Sequence, residues 1–171
     1  MRIFLIGFMG SGKTTLGRRL ATKLAYPFID MDKEIESHIN MSIAEYFKEY
    51  GEEAFRKIEN EVLKTSTYPE SAIIATGGGA PCFYDNLDWM NKNGLTVYLS
   101  LSPKALAKRL VNATDERPVL KNLKGDELEC FITEKLKLRE AFYTQAKLTI
   151  KGADQTPERF SAILKEGNYL K

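Results

Sequence analysis

The chain has 171 residues, 43% of them apolar and 28% charged, with a formal net charge of +2, which suits one globular domain with a sizeable core. Lys and Arg are spread rather than massed, so the charge points to no nucleic-acid or membrane partner. No run approaches the roughly eighteen apolar residues of a membrane span. The apolar start is interrupted by Gly7, Gly10 and Gly12 with no small-residue cleavage site behind it, which argues against a signal peptide.

Strand-like runs alternate with helical patterns, the signature of repeated βαβ units and a parallel sheet. Ile3 to Gly7 is the first strand, apolar throughout as a strand covered on both faces must be. Lys13 to Ala25 follows as a helix, with Leu16, Leu20 and Leu24 four apart. Phe28 to Asp32 reads as a short second strand running out into acid. Lys33 to Thr67 has no strand pattern. It holds two or three helical pieces, with a capping box at Ser42 and Glu45 and a break at Gly51, and is a candidate substrate-binding insertion. Ser71 to Thr76 is the third strand and leads into Gly77-Gly78-Gly79. Asp85 to Asn93 is a helix carrying Trp89, a core or groove-lining aromatic. Leu95 to Leu101 is the fourth strand, and Ser102 with Pro103 opens a helix to about Val111. Asn112 to Gly125 is polar and long for a plain connection, as lids are. Asp126 to Gln145 is a long helix, Lys147 to Lys151 the fifth strand, and Thr156-Pro157 starts the last helix. Residues 1–171 therefore read as a single domain with a phosphate-binding loop at 7–15, an insertion at about 32–67 and a lid at about 112–125.

Gly7-x-x-x-x-Gly12-Lys13-Thr14 fits the G-x-x-x-x-G-K-[ST] phosphate-binding loop, and it stands where that loop must, between a buried strand and a helix. The glycines, Gly10 and Gly12 among them, let backbone N–H groups at Ser11 to Thr15 converge on phosphate oxygens at the positive end of a helix. Lys13 reaches the β- and γ-phosphates, and the Thr14 hydroxyl is placed for Mg²⁺. Such enzymes usually hold Mg²⁺ with an acid at the end of a neighbouring strand, yet the third strand ends in three glycines. The carboxylates available are Asp30 and Asp32. As residues i and i+2 of a strand they face the same way. One can serve the Mg²⁺ shell and the other orient an acceptor hydroxyl as base; equally, one of them can be only a helix N-cap. The triple glycine marks either a tight turn or a floor that a phosphate or substrate oxygen approaches closely. Arg56 and Arg139 read individually as solvated charges, whereas Arg117 in the lid suits transition-state charge. Cys82 and Cys130 show no metal spacing and read as reduced thiols of a cytosolic protein. His38 is the only histidine, which argues against histidine catalysis and places it on a helix surface.

Together the GFMGSGKTT loop, Asp30-x-Asp32, Phe55-Arg56-x-x-Glu59, Gly77-Gly78-Gly79, Arg117-Pro118 and Leu138-Arg139-x-x-x-Tyr143 make the chain resemble the shikimate kinase family over most of its length. The resemblance implies an α/β nucleoside monophosphate kinase-like three-layer fold with a five-stranded parallel sheet in the order 2-3-1-4-5. It implies a monomeric cytoplasmic enzyme that uses ATP and Mg²⁺ to phosphorylate the 3-hydroxyl of shikimate, on the way to chorismate and the aromatic amino acids. By the same resemblance Asp32 contacts the shikimate hydroxyls and is the candidate base. Arg56 and Arg139 grip the carboxylate, Gly78 and Gly79 line that pocket, and Asp30 joins Thr14 around Mg²⁺. Arg117 closes onto the phosphates, and the adenine contacts fall at Arg109 and near Gln155. Two arginines suit a planar carboxylate better than lysines do.

The nearest alternative is a related small-molecule kinase, gluconate kinase-like or acting on nucleoside monophosphates; the Asp pair with Arg56, the triple glycine and Arg139 argues against both. A regulatory GTPase needs an N-K-x-D motif, and Asn91-Lys92-Asn93-Gly94 lacks its acid and precedes a strand. A pure nucleotide-binding module has no use for Lys13, Thr14, Asp30, Asp32 and Arg117 together.

Overall fold

The computed structural model describes residues 1–111, 123 and 125–170. Among them five strands form one parallel sheet in the order β2-β3-β1-β4-β5. The strands are β1 (Arg2–Ile6), β2 (Phe28–Asp30), β3 (Ala72–Ala75), β4 (Leu95–Ser100) and β5 (Leu148–Lys151). Between and after them run α1 (Lys13–Leu24), α2 (Met31–Ile39), α3 (Ile43–Thr65), α4 (Asn86–Asn93), α5 (Pro103–Val111), α6 (Gly125–Tyr143) and α7 (Pro157–Glu166).

Alternation along β1 explains the three layers. Ile3 and Leu5 point to one face, where Leu16 and Leu20 of α1 and Phe160 and Leu164 of α7 cover them. Phe4 and Ile6 point to the other, under α2 to α6. All four are wholly buried, so the strand has no polar positions to show. Helix α1 lies close to the sheet because Gly17 has no side chain. A Cβ there would stand 2.7 Å from the Phe28 ring and 2.9 Å from Leu5.

The register brings the carboxyl ends of β1, β2 and β3 to one edge: Leu5 and Asp30 both pair with Ala75. Open α/β sheets bind ligands there. One expectation fails at this edge. The second strand stops at Asp30 and does not run to Asp32. Asp30 is the N-cap of α2, its side chain accepting from the Asp32 amide, and Asp32 already lies in the first helical turn. The cap ends the strand, so the i, i+2 argument does not hold for this pair.

The insertion is α2 and α3. Its capping box forms as the sequence predicts: Ser42 accepts from the Glu45 amide at 3.2 Å and the Ser42 amide donates to the Glu45 carboxylate at 3.0 Å. Gly51, at φ 80° and ψ 176°, is non-helical and interrupts the helical run as the sequence predicts, so α3 is two helical pieces meeting at a kink. A 3-10 turn at Ala80–Cys82 follows the triple glycine and another at Gly152–Asp154 follows β5; neither carries a sequence signal as short as itself. Trp89 packs edge-on to Phe4, and His38 is exposed on α2. Among the described residues both cysteines are free, and no helix is long and apolar enough to cross a membrane.

Replacing Ser42 by Ala removes the cap of α3 and should lower stability by about 1 kcal/mol. Urea unfolding would show a lower midpoint at unchanged slope; an unchanged midpoint would mean the box contributes nothing.

Candidate active site

The phosphate loop runs from β1 into α1. Gly10 and Gly12 have φ of 77° and 98°, a region closed to most side chains. The Ser11 amide donates to the Phe8 carbonyl at 3.1 Å. Helix α1 has no acid in its first turn and no side-chain cap, so its N-terminal N–H groups and positive end remain for an anion. Ser11 is buried, and its hydroxyl is a buried polar atom with no hydrogen-bond partner among the described residues. Lys13 is buried too, its Nζ on the carbonyls of Gly7 at 2.8 Å and Phe8 at 3.0 Å. Arg109, from α5, donates to the Ser11 carbonyl at 2.9 Å. Thr15 is exposed on α1.

The Thr14 hydroxyl donates to Asp30 Oδ2 at 3.1 Å. A hydroxyl beside a carboxylate, both oxygen donors, is the partial set Mg²⁺ takes from a protein when phosphates and waters complete its octahedron. Among the described residues no group of three or more His, Cys, Asp or Glu could hold a metal ion. Asp30 thus serves both as cap and as partner of Thr14. Asp32, though on a helix, stays at the same edge: its Oδ1 is 3.3 Å from where a Cβ on Gly77 would lie.

The other half of the site lies on α3, the triple glycine and α6. Arg56 is buried, not solvated. Its Nη1 donates to Glu59 at 2.8 Å and its Nη2 to Glu52 at 3.0 Å, and its guanidinium stacks 4.3 Å from the Phe83 ring. With Arg56 as placed, a Cβ on Gly79 would stand 2.6 Å from Arg56 Nη2, so a side chain there would displace the guanidinium. Glu59 is 3% exposed. Burial pushes its carboxyl above the usual range, against the pull of Arg56 and Arg139, and its second oxygen, Oε1, has no hydrogen-bond partner among the described residues. Arg139 lies over the Phe8 ring at 5.5 Å. Its charge is felt by Glu59 and Cys82, as is that of Arg56, and Tyr143, one turn beyond Arg139, bonds Gly78 next to the Gly79 that Arg56 lies against. Gly78 is the joint between the halves: a Cβ there would meet the Met9 amide at 3.2 Å, and its carbonyl accepts from the Tyr143 hydroxyl at 2.6 Å.

The structure therefore gathers Lys13, Thr14, Asp30, Asp32, Arg56, Gly78, Gly79 and Arg139 at one edge of the sheet. Arg117 lies outside the described residues, with the rest of 112–122. Gln155 donates to the carbonyls of Ser100 at 3.2 Å and Ile150 at 3.3 Å, fastening the ends of β4 and β5. Glu59, Glu52, Cys82 and Tyr143 were given no role by the sequence. The spacing of Glu52, Arg56 and Glu59, four and then three residues, is an ion-pair signal on a helix; Tyr143 was marked only by its place in the Leu138-Arg139-x-x-x-Tyr143 motif, and Cys82 by nothing.

Residues 9–167 match the family model described as shikimate kinase. The chain belongs to the shikimate kinase family. It is 49% identical over 148 residues to a shikimate kinase of Parabacteroides distasonis, covering 86% of each chain. The crystal structure of the shikimate kinase from Bacteroides thetaiotaomicron superposes with a TM-score of 0.92 at 43% identity, covering 99% of both chains. The Acinetobacter baumannii shikimate kinase, solved in complex with shikimate, gives 0.82 at 32% identity over 99% of this chain and 95% of that one. A gluconokinase from Sinorhizobium meliloti, at 17% identity and a TM-score of 0.56, shares the fold alone.

Cys82 offers a check on the acceptor half. Burial raises its thiol to about 11, more than the two arginines lower it. At pH 8 only about one part in a thousand is thiolate, the reactive form. Iodoacetamide at that pH should alkylate the exposed Cys130 and spare Cys82 until the protein is unfolded, as read by peptide mass spectrometry. Equal labelling of both in the folded protein would contradict this burial.

Proposed function

We propose that this chain transfers the γ-phosphoryl group of ATP to the 3-hydroxyl of shikimate, giving ADP and shikimate 3-phosphate in the pathway to chorismate and the aromatic amino acids. The observation that carries the reading is the buried Arg56, held against Gly79 by Glu59 and Glu52 and joined by Arg139 beside the phosphate loop. Two fixed guanidinium groups at that spot fit a planar carboxylate, which a nucleoside monophosphate acceptor lacks; gluconate has one, but the likeness to a gluconokinase is at the level of the fold alone.

Ser11, Gly12 and the amides that open α1 cradle the phosphates, with Thr15 continuing the same turn. Lys13 swings from the carbonyls of Gly7 and Phe8 onto the β- and γ-phosphates, and Arg109, bonded to the Ser11 carbonyl, is the residue that contacts the nucleotide base. Gln155 stays a fastening of the strands that borders that region. Thr14 and Asp30 would hold Mg²⁺, which would supply positive charge to offset that of the phosphates. Asp32 accepts a hydrogen bond from the acceptor hydroxyl and takes its proton as the new P–O bond forms. Gly78 and Gly79 let the ring of shikimate lie close to the backbone. Arg117 is the charge that steadies the transferring phosphoryl group. A monomer in the cytoplasm, with no nucleic-acid or membrane partner, completes the reading.

Purified protein with ATP and Mg²⁺ should release ADP in proportion to added shikimate. Release driven instead by gluconate or a nucleoside monophosphate would overturn the assignment. Lys13→Met and Asp32→Asn should each lower kcat by roughly 10² or more, the loss expected for a transition-state charge contact. For Arg117→Ala, kcat should fall further than ATP affinity; the reverse pattern would make it an ATP-holding residue.

A further inference from the structure

The two arginines come from different helices, Arg56 from α3 and Arg139 from α6, and both helices pack on the Ala80–Cys82 turn after the triple glycine. One turn beyond Arg56, Asn60 donates through Nδ2 to Asn86 Oδ1 at 2.6 Å, and Asn86 Nδ2 donates to the Ala80 carbonyl at 2.9 Å. Asn86 is 0% exposed. Ala80 follows Gly79, the residue Arg56 lies against, so a closed ring runs from Arg56 along α3, across Asn60 and Asn86, and back through Gly79.

A matching arrangement stands on the other side. One turn beyond Arg139, Tyr143 donates to the Gly78 carbonyl at 2.6 Å. Tyr143 is wholly buried and stacked on Tyr98 at 5.0 Å. Burial pushes its phenol well above its ordinary value, so the hydroxyl keeps its proton and stays a donor at any working pH. In each case a residue four positions after the arginine lies on the same face of its helix: Tyr143 bonds Gly78 directly, and Asn60 reaches the Ala80 carbonyl, next to Gly79, through Asn86.

We propose that these are two neutral tethers, Asn60–Asn86 for Arg56 and Tyr143 for Arg139, and that together they set the spacing of the two guanidinium groups across the glycine floor. The three side chains are positioning residues. They rest on the reading of Arg56 and Arg139 as the carboxylate clamp. Being uncharged, they fix the floor without adding to the field of the arginines. The need is geometric: bidentate recognition fails when its parts shift by a fraction of an ångström. A glycine segment offers no side chains of its own to resist such a shift.

The test uses Tyr143→Phe and Asn60→Ala; half-buried Asn60 is chosen over Asn86 so that the fold survives. Arg56→Lys and Arg139→Lys serve as controls for the clamp. Steady-state kinetics would give kcat and both KM values, and thermal melting would report the fold. Each tether variant should raise the shikimate KM about five- to tenfold, the scale of one lost hydrogen bond. The ATP KM should stay within about twofold. If the lysine controls raise the shikimate KM and the tether variants do not, the tethers are overturned and the clamp stands. If the lysine controls leave it unchanged, the clamp falls and takes the tethers with it. A tether variant that raises both KM values alike, or acts only through a lower melting point, has a merely structural role and overturns the proposal. Tyr143→Phe and Asn60→Ala lie on different helices, so a folding defect in one leaves the other to decide.

Discussion

The acceptor half depends on one buried cation. Arg56 loses most of its hydration on α3, and taking a guanidinium out of water costs several kcal/mol unless geometry restores the loss. Here Glu59, Glu52 and the Phe83 ring do so. Such a group gains little net stability, since a well-packed apolar residue would often serve the fold as well. Its value is in position. Once Arg56 is fixed, Gly79 has to be glycine, the chain after β3 has to turn where it does, and Glu59 has to carry a carboxylate into the interior. The unpartnered Oε1 of Glu59 marks the same compromise: one oxygen holds the arginine while the other faces the space above Gly77.

The sheet supplies the frame for this arrangement. Parallel strands end together, and β1, β2 and β3 deliver the phosphate loop, Asp30 and the triple glycine to a single edge without any of them needing a long loop. Gly78 then stands against Met9, one residue beyond the phosphate loop's Phe8. Donor and acceptor halves are in backbone contact there, with no side chain between them. A residue larger than glycine at 78 would push the halves apart, and with them the two reacting groups. Close approach of this kind is what converts two binding sites into one reaction site.

Most of the fold was legible because it is written in short-range pattern. Apolar runs, the capping box at Ser42 and the glycine-lysine loop each declare themselves within about ten residues. The site was legible less evenly. Lys13 and Thr14 follow from their own motif. Asp32 was placed at the correct edge for the wrong reason, since a capping interaction by Asp30 replaced the strand from which its direction was inferred. Arg56 read alone as a surface charge because nothing within its own turn reveals that Phe83, twenty-seven positions on, will cover it. Tyr143 is still further from its partner: the bond to Gly78 spans 65 positions, and no periodicity reports a contact of that separation. Gln155, expected beside the nucleotide, also spends its amide on two strand-end carbonyls, a contact that no local pattern announces.

These differences follow from how each half is built. The donor half is made of backbone amides, a helix end and glycine conformations, all properties of contiguous chain. Any triphosphate satisfies it, so it defines the donor and leaves the acceptor open. The acceptor half is made of side chains from α2, α3 and α6, and each needs its own support: Glu59 and Glu52 under Arg56, Phe8 under Arg139, the Asp30 cap under Asp32. Asp30 belongs to both halves, since one oxygen caps the helix that presents Asp32 while the other accepts from Thr14 of the phosphate loop. Loss of that carboxylate would therefore disturb the proposed metal-binding pair and the proposed acceptor base at once. On that proposal, an acid at the end of the second strand takes the place of the one missing after the third. Placed after β3, it would occupy the space that the glycine floor leaves for the substrate.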